Sequence, residues 1–170
     1  FSIIQDDNEK LIKGYKQVIS ALLFIACPLL IGLAAVASQL VPLVWGEKWI
    51  QASPIIQILS IMGILKVMGN PVGSLLLAKG RADTGFVLNI FVTAINTIVF
   101  RLLIDLGISA IAIAQTLLSL TYTLTASEIL KSINMEIKLK EYLSLMVNPA
   151  FTSIFMGGVV LLLQYLMGHH

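Results

Sequence analysis

Five stretches of roughly twenty mainly apolar residues, the length that crosses the hydrocarbon core of a bilayer, dominate this chain. They are Val18–Val44, Pro54–Ala78, Phe86–Ile104, Ile108–Ser127 and Leu143–Met167. Such stretches leave the backbone few choices. In lipid every N–H and C=O has to be satisfied inside the protein, so a single segment of this kind becomes a helix. The rest of the chain agrees: of 170 residues 58% are hydrophobic and 12% charged, with mean hydropathy +0.94. Soluble domains average about 45–50% apolar and about 25% charged. The expected fold class is therefore all-α, a polytopic transmembrane helix bundle of about five spans.

The charges set the orientation. Lys10, Lys13 and Lys16 precede the first span, Lys79 and Arg81 separate the second from the third, and Lys131, Lys138 and Lys140 separate the fourth from the fifth. These eight cations fall on one side, against Lys48 and Arg101 on the other. By the positive-inside rule the N-terminal segment is cytoplasmic, and Glu47-Lys48-Trp49 and Asp105 face outward. Trp45 and Trp49 flank the first outer loop, where indoles anchor at the interface. The net charge of +2 by itself points to no partner class, and nothing in the chain points to nucleic acid.

Outside the spans, residues 1–17 read as an amphipathic elbow helix on the cytoplasmic surface. Asp7 is placed to cap it, and Leu11, Ile12 and Tyr15 recur at helical spacing beside the lysines. Residues 18–127 hold four spans, and 143–167 the fifth. Residues 128–142 form a cytoplasmic connector, of which Ile133–Lys140 alternates apolar and polar and reads as extended. Gly168-His169-His170 reads as a tag remnant, and the chain is expected to be a fragment. The lone Cys27 reads as a small packing residue within an apolar span.

Lys66 raises the question of function. It lies in the middle of the second span, where an ammonium group costs a few kcal/mol or more unless it faces a wet cavity or a partner. Gly63, Lys66, Asn70 and Gly73 share one helix face. Pro71 then removes a donor and disturbs the carbonyl of Val67, so irregular backbone is expected there, lining protein or water. Lys66 and Asn70 are thus candidate cavity residues, with structural pairing to a carboxylate on another helix as the alternative. Pro28 and Pro71 are candidate hinges. In the third span Asn89, Thr93 and Asn96 share a face, and Asn89 and Asn96 are candidates for the same cavity. In the fourth, Thr116, Ser119 and Thr123 form a stripe with Gln115 and Tyr122 at its edge. Hydroxyls of that kind are expected to bond between helices. Gly69 and Gly73 form a GxxxG pair, a permissive signal for close helix approach.

No catalytic constellation is legible. The spans hold no acidic residue, and there is neither a Cys–His pair nor a Gly-rich phosphate loop. An enzyme, a metal site, a cofactor site and an intramembrane acid relay are not expected.

Leu40 to Asn89 carries a more specific signal: Gly46-Glu47-Lys48-Trp49 after an apolar span, Ala52-Ser53-Pro54, the mid-span Lys66, and Leu77-Ala78-Lys79-Gly80-Arg81-Ala82-Asp83 at the next turn. This pattern resembles the polysaccharide flippases of the multidrug/oligosaccharidyl-lipid/polysaccharide exporter superfamily, on the branch of the colanic-acid and exopolysaccharide exporters. The upstream Phe1–Tyr15 and Glu136–Leu143 are similar to the segments that precede spans in that family. The resemblance implies a bacterial inner-membrane transporter of about twelve to fourteen spans in two lobes, with this chain forming most of the C-lobe. It implies an undecaprenyl-diphosphate-linked oligosaccharide as substrate, and as partners membrane lipids and the missing N-terminal lobe. It also implies a cationic cavity, to which Lys66 corresponds, and alternating access by rocking of the lobes.

Two other readings compete. A cation-coupled drug or lipid-precursor exporter of the same superfamily would be expected to expose an intramembrane carboxylate. A membrane scaffold subunit would use its polar stripes only to pack helices.

Overall fold

The computed structural model describes residues 2–131, 137 and 139–167. They form six helices: α1 (Ser2–Trp45), α2 (Ser53–Gly69), α3 (Pro71–Ala78), α4 (Ala82–Leu103), α5 (Ile108–Lys131) and α6 (Leu139–Met167). Short 3-10 helices, Glu47–Ala52 and Ile104–Leu106, stand at the two turns of one end. No strand occurs among the described residues. Four helical segments are long and apolar enough to cross a membrane: Glu9–Trp45, Glu47–Ala78, Ala82–Leu106 and Ile108–Lys131. A fifth, shorter apolar segment, Leu143–Val159, lies in α6. The bundle of about five spans is the architecture that hydropathy dictates.

Glycine makes the turns. Gly46 (φ 90°, ψ 163°) and Gly107 (φ 91°, ψ 169°) occupy a backbone region that is essentially glycine-only, and each leads into the next helix. At the other end Gly80 (φ 68°) closes a Schellman motif: Arg81 N–H donates to Leu76 O at 2.9 Å and Gly80 N–H to Leu77 O at 3.0 Å. The helix carbonyls are thereby satisfied, and the chain reverses within three residues, Lys79 to Arg81.

Packing contacts fix the order of the helices as α6, α1, α2, α5. α2 runs antiparallel to α1: Gly63 abuts Leu30, the Gln57 amide donates to Ala34 O at 3.1 Å, and the Ser53 hydroxyl donates to Ala37 O at 3.3 Å. α6 runs parallel to α1, with Gly157 against Ile31, Gly32 against Met156, and Lys16 paired to Glu141 at 2.7 Å. α5 runs parallel to α2. α4 packs on α3 and α5 only lightly and has no buried residue.

The hydrophobic core sits at the basic end. Tyr15, Ile19, Leu23 and Cys27 of α1 meet Met68, Val72, Leu75 and Leu76 of α2 and α3, with Ala126, Leu130 and Ile137 closing the cluster. This core accounts for one departure from the sequence reading. The expected elbow and first span are a single unbroken helix, and Asp7 lies inside it instead of capping it. The physical reason is phase. Tyr15, Ile19, Leu23 and Cys27 recur every four residues, so the apolar stripe of the elbow runs into that of the span on one face. Breaking the helix near Val18 would pull that stripe apart. Most of the Ile133–Lys140 connector, and residues 168–170, lie outside the described residues, although Ile137 itself is buried.

Candidate functional site

Lys66 is exposed, and among the described residues its ammonium has no ion pair. The register of α2 on α1 gives its depth. Gly63 lies against Leu30, so three residues further along the antiparallel helix Lys66 falls level with Cys27, the midpoint of the apolar segment Glu9–Trp45. Asn70 and Gly73, one and two turns away on the same face, are also exposed. Leu59 and Leu77, 38% and 64% exposed, bracket them. The result is a short polar strip with apolar ends on a helix otherwise held by neighbours on both flanks.

The backbone beneath this strip is interrupted at Asn70, between the end of α2 and the start of α3. Asn70 keeps α-helical dihedrals (φ −59°, ψ −40°), and its N–H donates to Lys66 O at 2.9 Å. Helix α3 then starts at Pro71, with a longer 3.3 Å contact from Gly73 N–H to Asn70 O. The interruption is thus a gap in hydrogen bonding and not a change of direction at Asn70, because the fixed φ of proline is itself compatible with helix. Pro28 likewise lies inside unbroken α1.

Gly63 separates from this group. A Cβ there would come within 2.9 Å of Leu30 Cδ1, so Gly63 serves close packing with α1. Gly69 and Gly73 have nothing within 4 Å of a Cβ position among the described residues, so this GxxxG pair mediates no helix contact here.

On α4, Asn89 and Thr93 are exposed. Asn96 is half-buried, and its Oδ1 is shielded without a hydrogen-bond partner. The Tyr122 hydroxyl on α5 is in the same condition. Thr97 bonds its own helix at Thr93 O, 2.8 Å. The structure thus places Lys66 and Asn70 on one strip, but leaves Asn89 and Asn96 on a helix that barely touches the bundle.

The α5 stripe does pack, as its hydroxyls predict. Thr123 Oγ1 lies 3.2 Å from Leu65 O across the α2–α5 seam, and Thr116 Oγ1 lies 3.5 Å from Ile58 O. Each hydroxyl also sits 2.8 Å from a carbonyl of its own helix, Ser119 O and Ala112 O respectively. With one proton per hydroxyl, the shorter intrahelical bond takes the larger share.

A second polar stripe on α2 escaped the sequence reading. Ser53, Gln57 and Ser60 recur at four- and three-residue spacing, and two of them bond α1 carbonyls. Gln57 is nine residues from Lys66, about two and a half turns, which puts it on the opposite side of the helix. The spacing was there to be read. What hid it was the lysine, which drew attention to one face of a helix that has two.

Comparison with known proteins shows what parts of the chain are similar to. Residues 1–54 match the model of a family described as polysaccharide biosynthesis protein. The lipopolysaccharide biosynthesis protein WzxC of Escherichia coli K12 is 46% identical over 93 residues, 55% of this chain and 19% of the relative. The teichuronic acid biosynthesis protein TuaB of Bacillus subtilis 168 is 46% identical over 80 residues, 47% of this chain and 17% of the relative. An uncharacterized membrane protein in the cps region of Klebsiella pneumoniae is 40% identical over 82 residues, 48% of this chain and 17% of the relative. Less than a fifth of each relative is spanned. No solved structure matches the chain. Over the part of the chain that these matches cover, it is similar to proteins named for polysaccharide biosynthesis.

Proposed function

We propose that this chain is part of a transporter that moves a lipid-linked oligosaccharide, carried on undecaprenyl diphosphate, across the bacterial inner membrane by alternating access, without catalysing a reaction of its own. The polysaccharide-biosynthesis roles in the relatives' names support the pathway class. The observation that carries the mechanism is Lys66: a mid-span ammonium, exposed, with no ion pair among the described residues. All nine acidic residues of the sequence lie near helix ends or in connecting segments, so no span of this chain supplies its counterion. Left against lipid it would cost about 2.5–3.5 kcal/mol on the insertion scale. A cavity shared with the rest of the transporter, wet and visited by an anionic diphosphate or acidic sugar, removes that cost. Asn70 beside it, and Asn89 and Asn96 on α4, would offer amides to replace the hydration of a sugar head group. Pro28 and Pro71 would give the two helices places to bend.

The test measures polysaccharide export and membrane abundance together. Lys66→Ala should reduce export severalfold at unchanged or higher abundance, and Lys66→Arg should keep most of the activity, because the charge matters more than its shape. Loss of abundance in Lys66→Ala would mark the lysine as the partner of a buried carboxylate elsewhere. Normal export at normal abundance would end the cavity reading.

A further inference from the structure

We propose that the cleft between the N-terminal part of α1 and helix α3 holds an anionic phospholipid of the leaflet that the basic end of the bundle faces. The cleft has a volume of about 600 Å³ and opens to the outside of the bundle. On the α1 side Lys10, Leu11, Gly14 and Val18 line it, and on the α3 side Pro71, Ser74 and Ala78. From Lys10 to Val18 the wall is eight residues, roughly 12 Å at the helical rise. The slot therefore runs along the helices, in the direction of a lipid chain.

Its chemistry changes from one end to the other. Val18 and Pro71 stand toward mid-span, and Lys10 and Ala78 at the basic end. A Cβ at Gly14 would meet nothing within 4 Å, so this wall is flat and open. The inner part offers apolar side chains and small residues to an acyl chain. At the mouth stands the cation of Lys10, and among the described residues that line the cleft there is no carboxylate. A phosphate head group seated at the mouth would meet that cation, while its chain replaces lipid contacts that Leu11 and Val18 need in any case.

The neighbouring cleft between α1 and α6 is a useful contrast. It is smaller, about 430 Å³, and it includes Glu9 together with Lys13 and Lys16. Lys16 is already paired to Glu141 at 2.7 Å. Its cations have carboxylates beside them, so it has no comparable preference for an anion. Charge complementarity therefore selects the α1–α3 cleft. A basic side chain near an anionic surface contributes about 1 kcal/mol, which is about a fivefold preference for an anionic over a zwitterionic lipid.

The experiment uses tryptophan quenching by brominated lipids in reconstituted vesicles. Trp45 and Trp49 are replaced by Phe, and a single reporter is placed as Ser74→Trp or, independently, Val18→Trp. Phe155→Trp, on the 71% exposed face of α6, serves as a lipid-facing control. Dibromo-phosphatidylglycerol should quench the two cleft reporters at about fivefold lower mole fraction than dibromo-phosphatidylcholine. The control should not distinguish the two lipids, and Lys10→Gln should abolish the preference in the cleft. Equal quenching by both lipids at positions 74 and 18 would overturn the proposal. So would a preference that survives Lys10→Gln, or a cleft that neither lipid quenches while the control is quenched, which would mean that protein fills it. Two reporter positions guard against one of them failing to fold.

Discussion

Helices α2 and α4 look alike in sequence. Each is a mainly apolar span with a polar strip at helical spacing, Lys66 and Asn70 in one, Asn89, Thr93 and Asn96 in the other. The bundle treats them differently. α2 is held on two sides, by α1 through Gly63, Gln57 and Ser53 and by α5 through Thr123 and Thr116, while its strip stays exposed. α4 has no buried residue, and its flanks carry Phe86, Phe91 and Phe100, each half exposed or more. A polar strip on a firmly held helix is presented in a fixed place. The same strip on a loosely held helix is presented wherever that helix rests against its partners.

The strongest way to break this comparison is to attack the core that holds α2. Met68 is fully buried, and Met68→Ala should destabilise the bundle by about 2–5 kcal/mol, read as a lower melting temperature in detergent. Phe91→Ala on α4, where the side chain is 63% exposed, should change it by less than about 0.5 kcal/mol. Equal losses would mean that α4 is clamped as firmly as α2.

The α1–α2 contact at Gly63 allows a finer comparison. Gly63→Phe should cost about 1–3 kcal/mol by overpacking against Leu30. Gly63→Ala should cost far less, because the obstructing atom is the tip of a leucine that has another rotamer to take. If Gly63→Phe melts like the parent, the helices are not in close contact there. Thr123→Val should remove only about 0.6 kcal/mol, since the hydroxyl is shared with its own helix. A larger loss would make the α2–α5 seam a polar clamp.

The smallest stability effect should come from Asn89→Leu. An exposed amide on a loosely packed helix is replaced by leucine with little change or a slight gain in stability. Export assayed beside it tells the rest: a fall in export at full abundance would put the α4 strip in the cavity proposed for Lys66. Unchanged export would confine the cavity, as far as this chain builds it, to the α2 strip.

The number of spans, their helical character and the turns at Gly46, Gly80 and Gly107 could be read from the residues alone. Hydropathy adds residue by residue, a membrane leaves a long apolar segment one stable backbone, and positive φ belongs to glycine. The depth of Lys66 followed from counting along one helix. Even the continuity of α1 was written in the four-residue spacing of Tyr15, Ile19, Leu23 and Cys27, although Lys10, Lys13 and Lys16 made the segment look like a surface helix. Contact decided the rest. That Gly63 turns to Leu30 while Lys66 turns away, that Gln57 reaches Ala34 O, and that the α4 strip is left almost unpartnered depend on which helices become neighbours and at what register. Those are set by side-chain fit between segments far apart in the chain. The pattern along a single helix names its polar face, and only its neighbours determine whether that face is covered.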